Sequence, residues 1–283
     1  MKKILVTGAA GYIGRHVINE LLNHRVHVIA TDIKVEGIDK RADIIQEDIF
    51  SGNKNIYKEL GEPDVVLHMA WKDGFVHNSN AHMEFLSKHY EFIRNMIDGG
   101  LKHLAVMGTM HEVGYYEGAI DENIITNPIS MYGIAKDALR KSTELLVKNS
   151  DVILQWLRAY YIYGDDKLNN SIFAKIILAE ERGEEFFPFT TGKNKYDFIS
   201  VEELSKQIVA SVMQDKVNGI INCCTGVPIS LAEKVEGFIK ENNLKIKLKY
   251  GAFPDREYDS PAVWGNSDKI KKILSEYNKL NRD

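Results

Sequence analysis

Tyr132 and Lys136 stand four residues apart in Tyr132-Gly133-Ile134-Ala135-Lys136, the spacing that puts two side chains on one face of a helix. A free phenol titrates near a pKa of about 10, too high for acid–base work at neutral pH. A lysine ammonium one turn away favours the phenolate and lowers that value. So tuned, Tyr132 can exchange a proton with a hydroxyl or a ketone. Thr109 lies just beyond an apolar run at 101–107 (LKHLAVM), where its hydroxyl can bond the same oxygen. Asn127-Pro128 and Ser130 precede the pair and are residues that start helices. A bare Tyr-x-x-x-Lys is common on helix surfaces, so the reading depends on the elements around it.

Those elements begin at the N-terminus. Residues 3–7 (KILVT) read as a buried strand that runs into Gly8-Ala9-Ala10-Gly11-Tyr12-Ile13-Gly14 and then an apolar, helix-compatible stretch. A strand, a glycine turn and a helix N-terminus aim backbone N–H groups and a helix dipole at a diphosphate. Gly8 supplies the turn, Gly11 the close approach, and Gly14 the tight packing of helix on strand. A second strand at 25–31 ends at Asp32, whose carboxylate can accept both hydroxyls of an adenosine ribose and would repel a 2′-phosphate. That favours NAD; Arg15 and Lys34 are near enough in sequence to leave NADP open. A third strand at 42–46 leads to Asp48 and Ile49, suited to the amino group and the face of an adenine. A helix over 53–60, a strand at 64–69 closed by the small Ala70, and a long helix over 81–97 follow. Tyr12 and Ile13 complete the expected cofactor set, with Tyr132 and Lys136 at its nicotinamide end. Lys136 would also hold the nicotinamide ribose. The alternation of strand and helix predicts an α/β fold with a doubly wound parallel sheet.

The chain of 283 residues can form one large domain or a domain with a small lobe. A net charge of −4 gives no footprint for nucleic acid. No apolar run approaches the length needed to span a bilayer. The first strand begins at once, so no signal peptide is expected, and Cys223 and Cys224 are adjacent without metal-site spacing. Core cysteines in a reducing cytoplasm and no metal are the expectations.

Together the glycine loop, Asp32, Asp48-Ile49, His68-Met69-Ala70, Thr109, Tyr132 with Lys136, Leu157-Arg158 and Tyr163-Gly164 resemble the extended short-chain dehydrogenases/reductases of the NAD-dependent epimerase/dehydratase type. Tyr196-Asp197-Phe198-Ile199-Ser200-Val201 is similar to the segment by which that family returns to its core. The resemblance implies a Rossmann core at 1–164 and a small substrate-binding lobe within 165–283, with 196–225 returning to the core. It also implies a homodimer built on the helices at 81–97 and 132–147, whose apolar faces carry Phe85, Phe92, Ile93, Leu139 and Leu146. Asn170, Ser171 and Phe173 fall where the family opens its nucleotide-binding helix. Arg256 and Asp259 are similar to residues that hold a diphosphate and a ribose. Arg suits a phosphate and Asp a hydroxyl.

Departures from the family narrow the reaction. The sugar 4,6-dehydratases carry an acidic pair after the threonine, and here Met110 and His111 follow Thr109, with Glu112 near. The 4-epimerases carry Asn where Tyr161 stands in Arg158-Ala159-Tyr160-Tyr161; the 4-keto-6-deoxysugar reductases carry an aromatic there. The serine-rich end of the family's fifth strand is Met107-Gly108-Thr109 here, and His111 can add a donor beside the sugar. The resemblance therefore implies NAD(P)H-dependent reduction of a nucleotide-diphospho-4-keto-6-deoxy sugar, a step in making surface polysaccharide. An NAD-dependent 4-epimerase is the alternative. A non-catalytic dinucleotide sensor on this fold is a further one, though such proteins typically lose the Tyr or the Lys.

Overall fold

The computed structural model describes residues 1–164, 171–255 and 259–280. The first half is built of β1 (Lys3–Thr7), α1 (Tyr12–Leu21), β2 (His27–Asp32), β3 (Asp43–Gln46), α2 (Ile56–Glu59), β4 (Val65–His68), α3 (Ala81–Gly99), β5 (His103–Thr109), β6 (Gly118–Ile120) and α4 (Met131–Val147). The second half adds β7 (Ile153–Ala159), β8 (Tyr161–Tyr163), α5 (Ile172–Glu181), β9 (Phe186–Pro188), β10 (Lys195–Ser200), α6 (Val201–Val212) and β11 (Gly219–Cys223). It closes with β12 (Pro228–Ser230), α7 (Leu231–Glu241), β13 (Lys247–Lys249), β14 (Ala262–Gly265) and α8 (Asp268–Leu280).

Seven strands form one parallel sheet in the order β11-β7-β5-β4-β1-β2-β3. The order reverses between β1 and β4, and that switch point is where open α/β sheets bind their ligands. Both faces of the central strands are apolar because both are covered. Ile4 and Val6 face a layer that includes Val17, Ile18, Leu204 and Ile208, while Leu5 faces Phe92, Ile93 and Met96. α1, α6 and α8 cover the first face; α2, α3 and α4 cover the second. Phe92, Ile93 and Leu139 are buried in this second layer, so these residues of the expected dimer face cover the sheet instead. The apolar side chains left exposed on α3 and α4 are Met83, Ile134 and Leu145, with Met131 at the start of α4.

A smaller body sits beyond the C-terminal edge of the sheet. β12-β10-β14-β6 form a second sheet, to which β8 adds by pairing with the end of β10. Phe173, Ile176, Phe189, Tyr196, Phe198 and Val263 fill its core. β10 serves both bodies: Lys195–Asp197 pair with β12, and Phe198–Ser200 pair with β8 before Ser200 caps α6. The last helix does not belong to this lobe. Ile270, Ile273 and Tyr277 of α8 lie in the layer over the main sheet, because the amphipathic helix has its apolar partner there. Cys223 and Cys224 are buried free thiols.

Candidate active site

The first end of the cleft is made of backbone. Gly8 has φ +69°, and a Cβ there would lie 2.7 Å from the backbone of Ala70. A Cβ on Gly14 would lie 2.2 Å from the Gly8 carbonyl oxygen. Both glycines are therefore demanded by contact, and Gly8 by its conformation as well. α1 starts at Gly11 with no capping side chain. The first-turn N–H groups, those of Ile13 and Gly14 among them, carry the positive end of the helix dipole into the cleft. Asp32 ends β2, accepting the Ala10 N–H at 3.1 Å and the Ile33 N–H at 2.8 Å. Asp48 follows β3 and accepts the Phe50 N–H at 2.9 Å, while Ile49 is buried beside it. The Arg15 guanidinium lies under the Gly37 turn. Tyr12 donates its hydroxyl to the Gly164 carbonyl across the cleft.

The other end is made of side chains. Thr109 is the last residue of β5, inside the strand rather than beyond it, since the parallel pairing with β7 runs through Thr109↔Ala159. Ser130 caps α4 by accepting the Gly133 N–H at 3.2 Å, which sets Tyr132 and Lys136 on the turn facing β5. The Thr109 hydroxyl is hydrogen-bonded to Tyr132. Lys136 donates to the Met107 carbonyl at 2.6 Å, and its ammonium lies 3.8 Å from the ring centre of Trp71. Burial lowers the Lys136 pKa to about 7, against the opposing pull of Glu112. The expected lowering of the Tyr132 pKa by Lys136 is not found. Burial pushes the phenol up, the Thr109 hydrogen bond only opposes this, and the ammonium is turned to Met107 and Trp71.

The segment between β4 and α3 closes over this pair. The Tyr132 N–H donates to the His77 carbonyl at 2.8 Å, and the His77 ring stacks on Tyr132 at 5.5 Å. Trp71, His82 and His111 surround the same phenol at 6.0, 5.3 and 6.1 Å between ring centres. Below them runs a chain of neutral imidazoles whose tautomers follow from proton counting. Thr7 Oγ1 accepts the N–H groups of Met69 and Ala70, so its own hydrogen goes to His68 Nδ1 at 2.8 Å. His68 must then carry its hydrogen on Nε2 and donate to His89 Nδ1 at 2.8 Å. His89 stacks on Trp71 at 4.3 Å. Trp71 donates to His82 Nδ1 at 3.0 Å, and His82 Nε2 donates to the Val76 carbonyl. Burial holds His68 down to about 3 and His89 well below its ordinary value.

On the lobe side, the His111 ring lies 6.4 Å from that of Tyr161, which packs on Tyr196 at 4.3 Å, and the Tyr196 hydroxyl reaches Asp259 at 3.4 Å. His111, Tyr161 and Asp259 thus line one path from Thr109 into the lobe. Burial takes His111 down to about 3. Ser171 caps α5 through the Ala174 N–H. Asn170 and Arg256 lie outside the described residues.

Residues 4–224 match the NAD-dependent epimerase/dehydratase family. The chain is 45% identical over 269 residues to a dTDP-6-deoxy-L-talose 4-dehydrogenase (NAD(+)) of Aggregatibacter actinomycetemcomitans, covering 93% of this chain and 98% of that one. The chain belongs to the NAD-dependent epimerase/dehydratase family. Among solved structures, the UDP-glucose 4-epimerase of Thermotoga maritima superposes with a TM-score of 0.81 at 22% identity, covering 99% and 100% of the two chains. The UDP-glucuronic acid 4-epimerase of Bacillus cereus, bound to UDP-glucuronic acid and NAD, superposes at 0.80 with 22% identity over 96% and 93%.

NAD, the cofactor of this family, fits the residues present. A Cβ would fill the Gly8 and Gly14 cradle, the helix start is uncapped, and the Asp32 carboxylate at the tip of β2 would suit a ribose without a 2′-phosphate. The acid that a family dehydratase needs beside its threonine is absent. Glu112 is the carboxylate nearest in sequence, but it is fully buried and turned to Trp156 Nε1 at 2.8 Å and Arg158 at 3.4 Å. Gly108, within the altered end of the fifth strand, is explained by the same contact: a Cβ there would lie 2.2 Å from Trp156 Nε1.

Trp71, His77 and His82 escaped the motif reading. Their signal was compositional: six of the nine histidines fall between 68 and 111, and a tryptophan follows Ala70.

Proposed function

We propose that the protein interconverts the C4 hydroxyl and C4 ketone of a nucleotide-diphospho-6-deoxyhexose, with reduction of the 4-keto sugar as the direction first inferred from the sequence. The observation that carries this is the full-length likeness to a dTDP-6-deoxy-L-talose 4-dehydrogenase, whose reaction in reverse is a 4-ketoreduction. Bound NAD supplies hydride donor or acceptor. Tyr132 gives its proton to the C4 oxygen during reduction and takes it back during oxidation, so the alcohol and ketone forms balance with one hydride and one proton. Thr109 orients that oxygen and shares a hydrogen bond with the phenol. Lys136 would hold the nicotinamide ribose, and its ammonium would stabilise a phenolate when turned from Met107 toward the cofactor. Gly8, Gly11, Tyr12, Ile13, Gly14, Asp32, Asp48, Ile49 and Ala70 bind the rest of the dinucleotide. His111, Tyr161 and Asp259 bind the sugar nucleotide, with Asn170 and Arg256 as further candidates.

A homodimer through the exposed apolar side chains of α3 and α4 is part of this reading. So is a cytoplasmic setting, which suits two free buried thiols. Among the described residues no helix is long and apolar enough to cross a membrane.

The test is to follow NADH absorbance with dTDP-6-deoxy-L-talose and NAD, and with dTDP-4-keto-6-deoxy sugars and NADH. Cofactor turnover with either set supports the reading. Inversion at C4 of UDP-hexoses without net change in NADH, and no turnover with any keto sugar, would establish a 4-epimerase instead.

A further inference from the structure

Every polar group facing the Glu112 carboxylate is a donor. Oε1 accepts the Thr109 backbone N–H at 2.7 Å and Trp156 Nε1 at 2.8 Å. Oε2 faces Arg158 Nη2 at 3.4 Å and Arg140 Nε at 3.7 Å. These partners come from β5, β7 and α4, and the carboxylate they enclose has no solvent exposure. A charge so buried persists only when its partners satisfy it. The chain also leaves position 108 without a side chain: a Cβ there would come within 2.9 Å of Glu112 Oε1.

What the carboxylate holds is Thr109. That residue ends β5 and caps the single 3-10 turn Met110–Glu112. Its Oγ1 accepts the His111 N–H at 3.3 Å, while the Glu112 side chain returns to its own N–H. The two bonds fix the threonine backbone and its side-chain direction together. We infer that Glu112 is a positioning residue: it locks Thr109 so that its hydroxyl meets the Tyr132 phenol, and through Arg140 it ties the helix carrying Tyr132 and Lys136 to the same point. The inference rests on the reading of Thr109 and Tyr132 as the groups that handle the C4 oxygen and its proton.

Glu112→Gln tests it without changing volume. The amide has one oxygen, so its NH2 must face either Thr109 and Trp156 or the two arginines, donor against donor. We expect kcat to fall about tenfold with KM for NAD and the sugar nucleotide held within about twofold. In a Thr109→Ala background the same substitution should change kcat by less than about twofold, because nothing is left to position. An equal loss in both backgrounds would overturn the inference and leave Glu112 as a general packing group. Should the glutamine variant fail to fold, Glu112→Asp keeps the charge for the arginines while shortening the reach to Thr109, and the same non-additivity is expected. A wild-type enzyme that turns over no nucleotide sugar would sink the proposed reaction alone. The crystal structure of the variant then decides: Thr109 Oγ1 withdrawn from the Tyr132 hydroxyl supports positioning, and an unmoved hydroxyl overturns it.

Discussion

The two ends of the cofactor cleft are made by different physics. At the adenosine end the binding groups are backbone N–H donors and one carboxylate at a strand tip, and the sequence requirement is for atoms to be missing at Gly8 and Gly14. At the nicotinamide end the groups are side chains from β5, α4 and the segment after β4, packed so closely that burial moves two pKa values in opposite senses, Lys136 down to about 7 and the Tyr132 phenol up. The first end is centred on one strand–turn–helix unit, with Asp32 added from the tip of the neighbouring strand β2 and Ala70 packed against Gly8. The second needs the whole sheet, because Thr109, Tyr132 and Trp71 are brought together across long stretches of chain.

That contrast can be broken by substitution. Tyr132→Phe should lower kcat by about 10²-fold or more while calorimetry finds NAD affinity unchanged; a comparable loss of affinity would mean the two ends are not separable. Next in size is acid lability. His68, His89 and His103 are all held below the ordinary histidine value by burial, His68 to about 3 and His103 to about 4. An unfolded histidine binds its proton near pH 6.5, so the folded state is favoured fully above that pH and loses stability as pH falls towards 4 and 3. The His68 share is on the order of 4 kcal/mol. Urea midpoints measured from pH 7.5 to 5 should fall steadily, and a flat profile would contradict the neutral imidazole chain. Asp32→Ser should raise KM for NAD about tenfold and narrow the preference over NADP with kcat little changed, since only a ribose contact is lost; initial rates with both cofactors measure it. The smallest effect is at Trp71. Trp71→Leu should cost about fivefold in kcat by freeing Lys136 from its aromatic face, read in the same rate assay at a temperature well below the melting point of the variant, which loses the stack on His89 and the bond to His82.

The adenosine end was legible because its rules are local. Gly8, Gly11, Gly14 and Asp32 stand at fixed spacings along the chain, and the parallel, doubly wound sheet follows from the alternation of elements. Thr109, Tyr132 and Lys136 were legible as a pattern, but the state of the phenol was not. Helical spacing places Lys136 beside Tyr132; only the packed structure shows the ammonium drawn to the Met107 carbonyl and Trp71. Glu112 was read as a stray acid near the threonine, because sequence distance cannot tell a carboxylate that points into a cleft from one enclosed by Trp156, Arg158 and Arg140. Phe92, Ile93 and Leu139 suit an association face or a cover for the sheet equally well in sequence, because an amphipathic helix looks the same whether its partner is a sheet or a second copy; the packing gives them to the sheet.

Thr7 joins the two ends. Its hydroxyl accepts from Met69 and Ala70 and therefore has a single direction in which to donate, so every hydrogen from Thr7 through His68 to His89 points away from the glycine loop. Such a chain is polarised like a row of aligned magnets. Reversing one member requires reversing all, which makes it a strut and not a conduit for protons. Thr7→Val would delete the element that sets the polarity, leaving His68 and His89 without an imposed tautomer. The resulting disorder would surface at the indole stacked on His89, far from the turn where the change was made, and 15N shifts of the two imidazoles would report it.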